Sequence, residues 1–121
     1  MIRNLIAIAL LASVANTASA ADPVAGQKVF KTQCASYHCP VAGKKLVGPS
    51  LFGVVGRKAG SVPGFHYSSA NQKLGGTWDT ATLDEYLKKP RDVVPGTSMT
   101  YAGLKNDVQR ADLIAYLETL H

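Results

Sequence analysis

"QCASYHCP", residues 33–40, places two cysteines, a tyrosine and a histidine within the six positions 34 to 39. Thiolate and imidazole are good metal ligands, so a grouping this tight points to a metal or a bound cofactor rather than to packing. The spacing is unusual. The cysteines are not arranged as Cys-x-x-Cys, and no histidine follows the second of them. A zinc site built from Cys34, His38 and Cys39 lacks a fourth ligand and crowds three ligands into six residues. A disulfide between the two cysteines is disfavoured if they share a helical turn, which points their β-carbons apart. The chain on either side has to supply the rest of the answer.

Upstream, "MIRNLIAIALLASVANTASA" has a basic start at Arg3, an apolar run from Leu5 to Val14, and Ala18-Ser19-Ala20 before Ala21. That is the pattern of a secretory signal peptide cleaved after about Ala20, with a domain over 21–121. The apolar run is shorter than the ~20 residues of a spanning helix, and nothing later is apolar enough to span, so the product is expected to be periplasmic and at most peripheral to a membrane. The full 121 residues carry 13 basic and 8 acidic side chains, net +5; without Arg3 the balance is 12 to 8, net +4. A basic chain raises the question of nucleic acid, but the export pattern and the lack of a basic cluster argue against it.

Downstream, helix signals sit at both ends. Asp22-Pro23 reads as an N-cap with proline in the first turn, followed by Gly26, Val29 and Phe30 on one face. Asn106, with Gln109 three residues on, starts a last helix whose Leu113, Tyr116, Leu117 and Leu120 recur at i, i+3, i+4 and i+7. A third helix is predicted over about Asp79–Lys89, with Leu83, Tyr86 and Leu87 inward and Pro90 as its stop. A short turn of helix is predicted over Ser68–Gln72. Between them lie Gly- and Pro-rich stretches, "VGPSLFGVVGRKAGSVPGF" and "PRDVVPGTSMTYAG". The reading is all-α: three to four short helices with long loops, too little helix to make a core alone. Loops this long in a compact domain need something to pack against from within.

Six segments, in order, carry a resemblance: "GQKVFKTQC", "GPSLFGVVGRKAG", "PGFHYSSAN", "TWDTATLDEYLKKP", "PGTSMTYAGL" and "RADLIAYL". From Gly26 to Leu120 the chain resembles the class I c-type cytochromes of the small bacterial, mitochondrial-like kind. The resemblance implies helices and loops wrapped around one haem c, with His38 as the proximal iron ligand and Met99 as the distal one. Imidazole suits iron, and a thioether sulfur raises the reduction potential. It also implies that the Pro49 carbonyl fixes the His38 tautomer, that Arg57, Tyr67, Asn71, Trp78 and Thr97 surround the haem propionates, and that Tyr86 lies near the methionine sulfur. Gly26, Phe30, Leu113 and Tyr116 match the contact between first and last helices.

The resemblance breaks at the quoted stretch. The family attaches haem through Cys-x-x-Cys-His, and the matching residues here are Cys34-Ala35-Ser36-Tyr37-His38. A phenol does not take over the thioether chemistry of a second cysteine. Cys39 lies beyond the histidine, rotated by ~100° per residue on a helical turn, and cannot stand in for position 37. The expectation is a single thioether through Cys34; the other outcomes are haem held without a covalent bond and a protein that never receives it. The implied function is one-electron transfer in a respiratory or related chain, not enzymatic catalysis. Its partners would be a donor complex and an acceptor oxidase or reductase, met in transient encounters that Lys28, Lys31, Lys44, Lys45, Lys88, Lys89 and Lys105 would steer toward an acidic face. Rival readings are a peroxidase-like protein with an open iron site and a haem-free remnant with a structural or binding role.

Overall fold

The computed structural model describes residues 20–121, so the export-signal reading of the first twenty falls almost wholly outside them. Five helices follow in order: α1 Pro23–Gln33, α2 Ser69–Leu74, α3 Thr80–Lys88, α4 Pro90–Val93 and α5 Asp107–Glu118. Among the described residues there is no strand beyond one isolated bridge, Lys58 to Thr77, and no helix long and apolar enough to cross a membrane.

The helix starts are chemically explicit. Asp22, Ser68, Asp79 and Asn106 each accept a backbone N–H of the first turn with a side-chain oxygen, satisfying a donor that has no partner within the helix. Pro90 ends α3 as expected, but it also sits at the first position of a further short helix, where its missing N–H costs nothing. That turn, α4, is the element beyond the sequence expectation.

α1 crosses α5 closely because Gly26 has no side chain: a β-carbon there would collide with the Asp112 carbonyl. Phe30 fills the adjoining space against Tyr116, ring centroids 5.4 Å apart, and Asp22 N–H donates to Asp112 Oδ1 at 2.7 Å. Around this crossing gather the buried side chains of Leu83, Val94, Leu104, Leu113, Ile114 and Leu117. The apolar stripe of α5 is less pure than its sequence spacing. Val108 is exposed, Leu120 half-buried, and Arg110 buried. Arg110 is accommodated because each nitrogen finds an acceptor: Nε donates to Asp84 Oδ1 (2.6 Å), Nη2 to Asp107 Oδ1 (2.7 Å) and Nη1 to the Leu104 carbonyl (3.0 Å). The guanidinium thereby ties α5 to α3 and to the loop returning from residue 94. This frame leaves the long loops 34–68 and 94–106 to wrap the other face of the core.

Candidate functional site

Those loops, with α2, α3 and the end of α1, enclose a cavity of about 520 Å³. Nine of the ten site residues expected from sequence line it: Cys34, His38, Pro49, Arg57, Tyr67, Asn71, Trp78, Tyr86 and Met99. Thr97 does not. Its hydroxyl accepts the Met99 N–H at 3.2 Å and its own N–H donates to the Val94 carbonyl at 3.0 Å, so it shapes the Met99 loop. A second, more open cleft is lined by Glu85, Lys88, Lys89, Asp92 and Val93; those charged side chains are solvated, and no expected site residue lies there.

The quoted stretch forms one wall. After α1 ends, the N–H groups of Tyr37 and His38 both donate to the Cys34 carbonyl, at 3.0 and 2.9 Å. This turn aims Cys34, Tyr37 and His38 into the cavity. His38 Nδ1 lies 2.9 Å from the Pro49 carbonyl. A carbonyl only accepts, so Nδ1 carries the proton and Nε2 keeps its lone pair for a ligand. Burial lowers the His38 pKa, the Pro49 bond partly opposes this, and the Arg57 charge adds to the lowering; the ring is held neutral, as a ligand must be. Gly48 makes room for it. A β-carbon at Gly48 would lie 2.6 Å from His38 Nδ1 and 2.9 Å from Nε2.

The two cysteines part company here. Cys34 lines the cavity, and burial pushes its thiol up to about 11. Cys39 is not on the cavity wall; its carbonyl accepts Leu51 N–H at 2.9 Å and the Ser50 hydroxyl at 3.3 Å. Both are free thiols. Cys34, His38 and Cys39 do not converge, and among the described residues no group of three or more His, Cys, Asp or Glu is placed to hold a metal. Tyr37 fills the position of the missing cysteine, its side chain half in the cavity and half in solvent at 53 % exposure.

Met99 belongs to another wall. The Tyr86 hydroxyl donates to its sulfur at 3.5 Å, and Tyr86 packs against Trp78 with centroids 4.7 Å apart. Burial raises the Tyr86 pKa, so the phenol stays protonated as a donor. A third region of the wall is polar. Arg57 Nη1 donates to the Ser50 and Phe52 carbonyls at 2.9 and 3.2 Å, and the Tyr67 hydroxyl accepts Val62 N–H at 3.0 Å. Among the described residues no protein group takes the Asn71 side-chain amide or the Trp78 indole N–H, yet no buried side-chain polar atom is stranded. Both donors remain open to a buried anionic group, with Arg57 beside them.

Sequence reading missed several contributors. Gly48 reads only as a loop glycine next to proline. Gln33 and Tyr101 line the cavity and bond each other across 68 residues of chain, a pairing no local signal could disclose. Ser50 is 5 % exposed and bonds the Val41 carbonyl at 2.7 Å, bracing the loop between the quoted stretch and Arg57.

The family profile for cytochrome c matches residues 23–121. This chain belongs to the cytochrome c family. It is 55 % identical over 109 residues to cytochrome c2 of Rhodomicrobium vannielii, covering 88 % of this chain and 86 % of that one. It is 50 % identical over 99 residues to cytochrome c2 of Rhodopila globiformis, 82 % and 93 % covered. Among solved structures, cytochrome cH from Methylobacterium extorquens superposes with a TM-score of 0.76 at 43 % identity, over 81 % of this chain and 98 % of that one. The cytochrome is accordingly a one-electron carrier that binds haem c, not an enzyme. Its cavity fits the group: one neutral imidazole with a free Nε2, one thioether held by a phenol, one cavity-facing thiol, and a donor cluster for buried carboxylates.

Proposed function

We propose that this cytochrome holds its haem iron between His38 and Met99 and tethers the haem through Cys34 alone. The observation that carries the single tether is that Cys34 faces the cavity, Tyr37 occupies the second attachment position, and Cys39 lies off the wall. On haem binding the Cys34 thiol would add across one vinyl group, its S–H bond giving way to a carbon–sulfur bond and its hydrogen passing to the neighbouring vinyl carbon, with no net redox change. Bound there, the iron supplies the one-electron couple. The Pro49 carbonyl keeps the His38 ring in one orientation and one tautomer, and Tyr86 keeps the Met99 sulfur turned inward, so neither side chain has to rearrange on electron transfer. A Met99 held in this way supports the carrier over a peroxidase-like open site. Arg57 would supply the positive charge opposite the propionates and Asn71 and Trp78 would donate to them, while Thr97 orders the Met99 loop.

Residues 1–20 are read as a cleaved leader and 21–121 as the mature domain, acting in the periplasm with a membrane-bound or soluble donor and a terminal acceptor. None of the seven lysines named above lines the cavity; Lys105 donates to the Lys88 carbonyl, and Lys88 lies 3.9 Å from Asp107. Val47, 75 % exposed, and Tyr37 stand on the wall instead. The division proposed is that net positive charge steers the encounter and a close apolar rim makes the contact.

The decisive measurement is acidified-acetone extraction combined with intact mass of the mature protein. The expected result is haem retained in the protein fraction of the parent and released from Cys34→Ala. Haem that leaves the parent with the solvent defeats the single thioether.

A further inference from the structure

The Met99 segment is tied on one side only, with one exception. Leu104 N–H donates to the Leu87 carbonyl at 2.7 Å, Arg110 Nη1 donates to the Leu104 carbonyl at 3.0 Å, and Tyr86 donates to the Met99 sulfur at 3.5 Å. All of these come from α3 or α5. Between Val94 and Leu104 no residue is fully buried, and Tyr101 alone in that interval packs its ring against the core cluster, so core packing holds the stretch at one point only. The exception is the Tyr101 hydroxyl, which donates to Gln33 Oε1 at 3.0 Å. Gln33 is the last residue of α1, adjacent to Cys34; Tyr101 lies two residues past Met99; both line the cavity. Among the described residues no other hydrogen bond joins residues 23–50 to residues 95–105.

We propose that the Tyr101–Gln33 hydrogen bond is a latch across the cavity, holding the Met99 segment closed against the end of α1 and making Tyr101 and Gln33 positioning residues for Met99. The inference rests on the reading of Met99 as an axial ligand. Its physical content is a difference between two states of the segment. The latch exists only when the segment is closed, so it weights the closed state, and an open segment would leave Met99 displaceable by an outside ligand. Both groups are partly solvated, so the bond is an ordinary neutral one, and its loss shifts the closed-to-open ratio by about three- to tenfold. The α1–α5 frame gives the latch a rigid anchor, since Gln33 ends a helix fixed by the Gly26 crossing.

The test uses the haem-loaded protein and four variants. Tyr101→Phe keeps the ring and removes the donor; Gln33→Leu removes the acceptor; the double variant removes both; Gln33→Glu keeps an acceptor oxygen. Two readouts are taken: amide hydrogen exchange of residues 97–104 relative to α5, and the affinity of the ferric protein for imidazole, followed by loss of the weak sulfur-to-iron absorption band. The expected result is exchange about three- to tenfold faster in 97–104 for each of Tyr101→Phe and Gln33→Leu, with α5 unchanged. Imidazole should bind tighter by a similar factor, the double variant should do no more than either single, and Gln33→Glu should behave as the parent. Unchanged exchange, a rise shared equally by α5, or additive effects in the double variant would overturn the latch. If the parent itself lacks the sulfur-to-iron band, the Met99 ligation fails, and the exchange readout still decides the latch.

Discussion

Gly48→Ala is the sharpest perturbation of the site, because it adds one methyl group where the His38 ring already stands. The added carbon would sit 2.6 Å from Nδ1 and 2.9 Å from Nε2, against about 3.5–4.0 Å for comfortable non-bonded contact. The ring has to retreat by roughly an ångström, which breaks a 2.9 Å bond to the Pro49 carbonyl. Losing that bond costs about 1 kcal/mol, and forcing a methyl into a filled space costs about 1–3 kcal/mol. A destabilisation of about 2–4 kcal/mol is expected, with Nε2 turned off its line. The assay is urea unfolding of the purified protein, read beside its absorption spectrum; the unfolding midpoint should fall and the spectrum should report altered or lost axial ligation. Gly43→Ala is the control. There a methyl meets nothing within 4 Å, but φ is +73°, so it should cost about 1–2 kcal/mol of backbone strain and leave the spectrum unchanged. A Gly48→Ala protein matching the parent in both midpoint and spectrum would refute the claim that the imidazole fills this space.

Two further outcomes are expected. Tyr37→Cys recreates Cys-x-x-Cys-His on the cavity wall and should yield a second thioether, seen as absorption bands moved to shorter wavelength because the last conjugated vinyl is consumed; bands that stay in place would show that position 37 does not reach the vinyl. The His38 pKa is lowered in the folded state, so below about pH 6.5 the unfolded chain binds a proton that the folded one resists, and stability should decline as pH falls from 7 toward 5. A urea midpoint that holds steady or rises over that interval would contradict the burial of a neutral ring.

Most of the helical frame was legible because its signals are local. An Asp, Ser or Asn side chain reaches only two or three residues forward, so the caps at Asp22, Ser68, Asp79 and Asn106 can be recognised without the fold. α4 has no such signal, because a proline that stops one helix has the same ring geometry that suits the start of a new turn. Arg110 on the buried side of α5 was also invisible, since its acceptability depends on Asp84 arriving from another helix. Thr97 is expected near the propionates from its place in the chain; in the structure its hydroxyl accepts the Met99 N–H, a contact that leaves its own proton free to donate.

What the sequence by itself determined is the chemistry of the parts: a thiol at 34, an imidazole at 38, a thioether at 99, a phenol where a second thiol belongs, and loops too long to pack without a guest. Residue identity and order are enough for that, because ligand chemistry does not depend on the fold. Only the tertiary structure decided which parts meet. It put Cys34 on the cavity wall and Cys39 off it, gave the His38 ring the space that Gly48 leaves, and joined Gln33 to Tyr101 across 68 residues. The physical reason is range. Caps and turns are settled over a few bonds, whereas the facing of a cysteine, the vacancy beside a ring and a bond between distant loops exist only once the α1–α5 crossing has fixed where the chain returns.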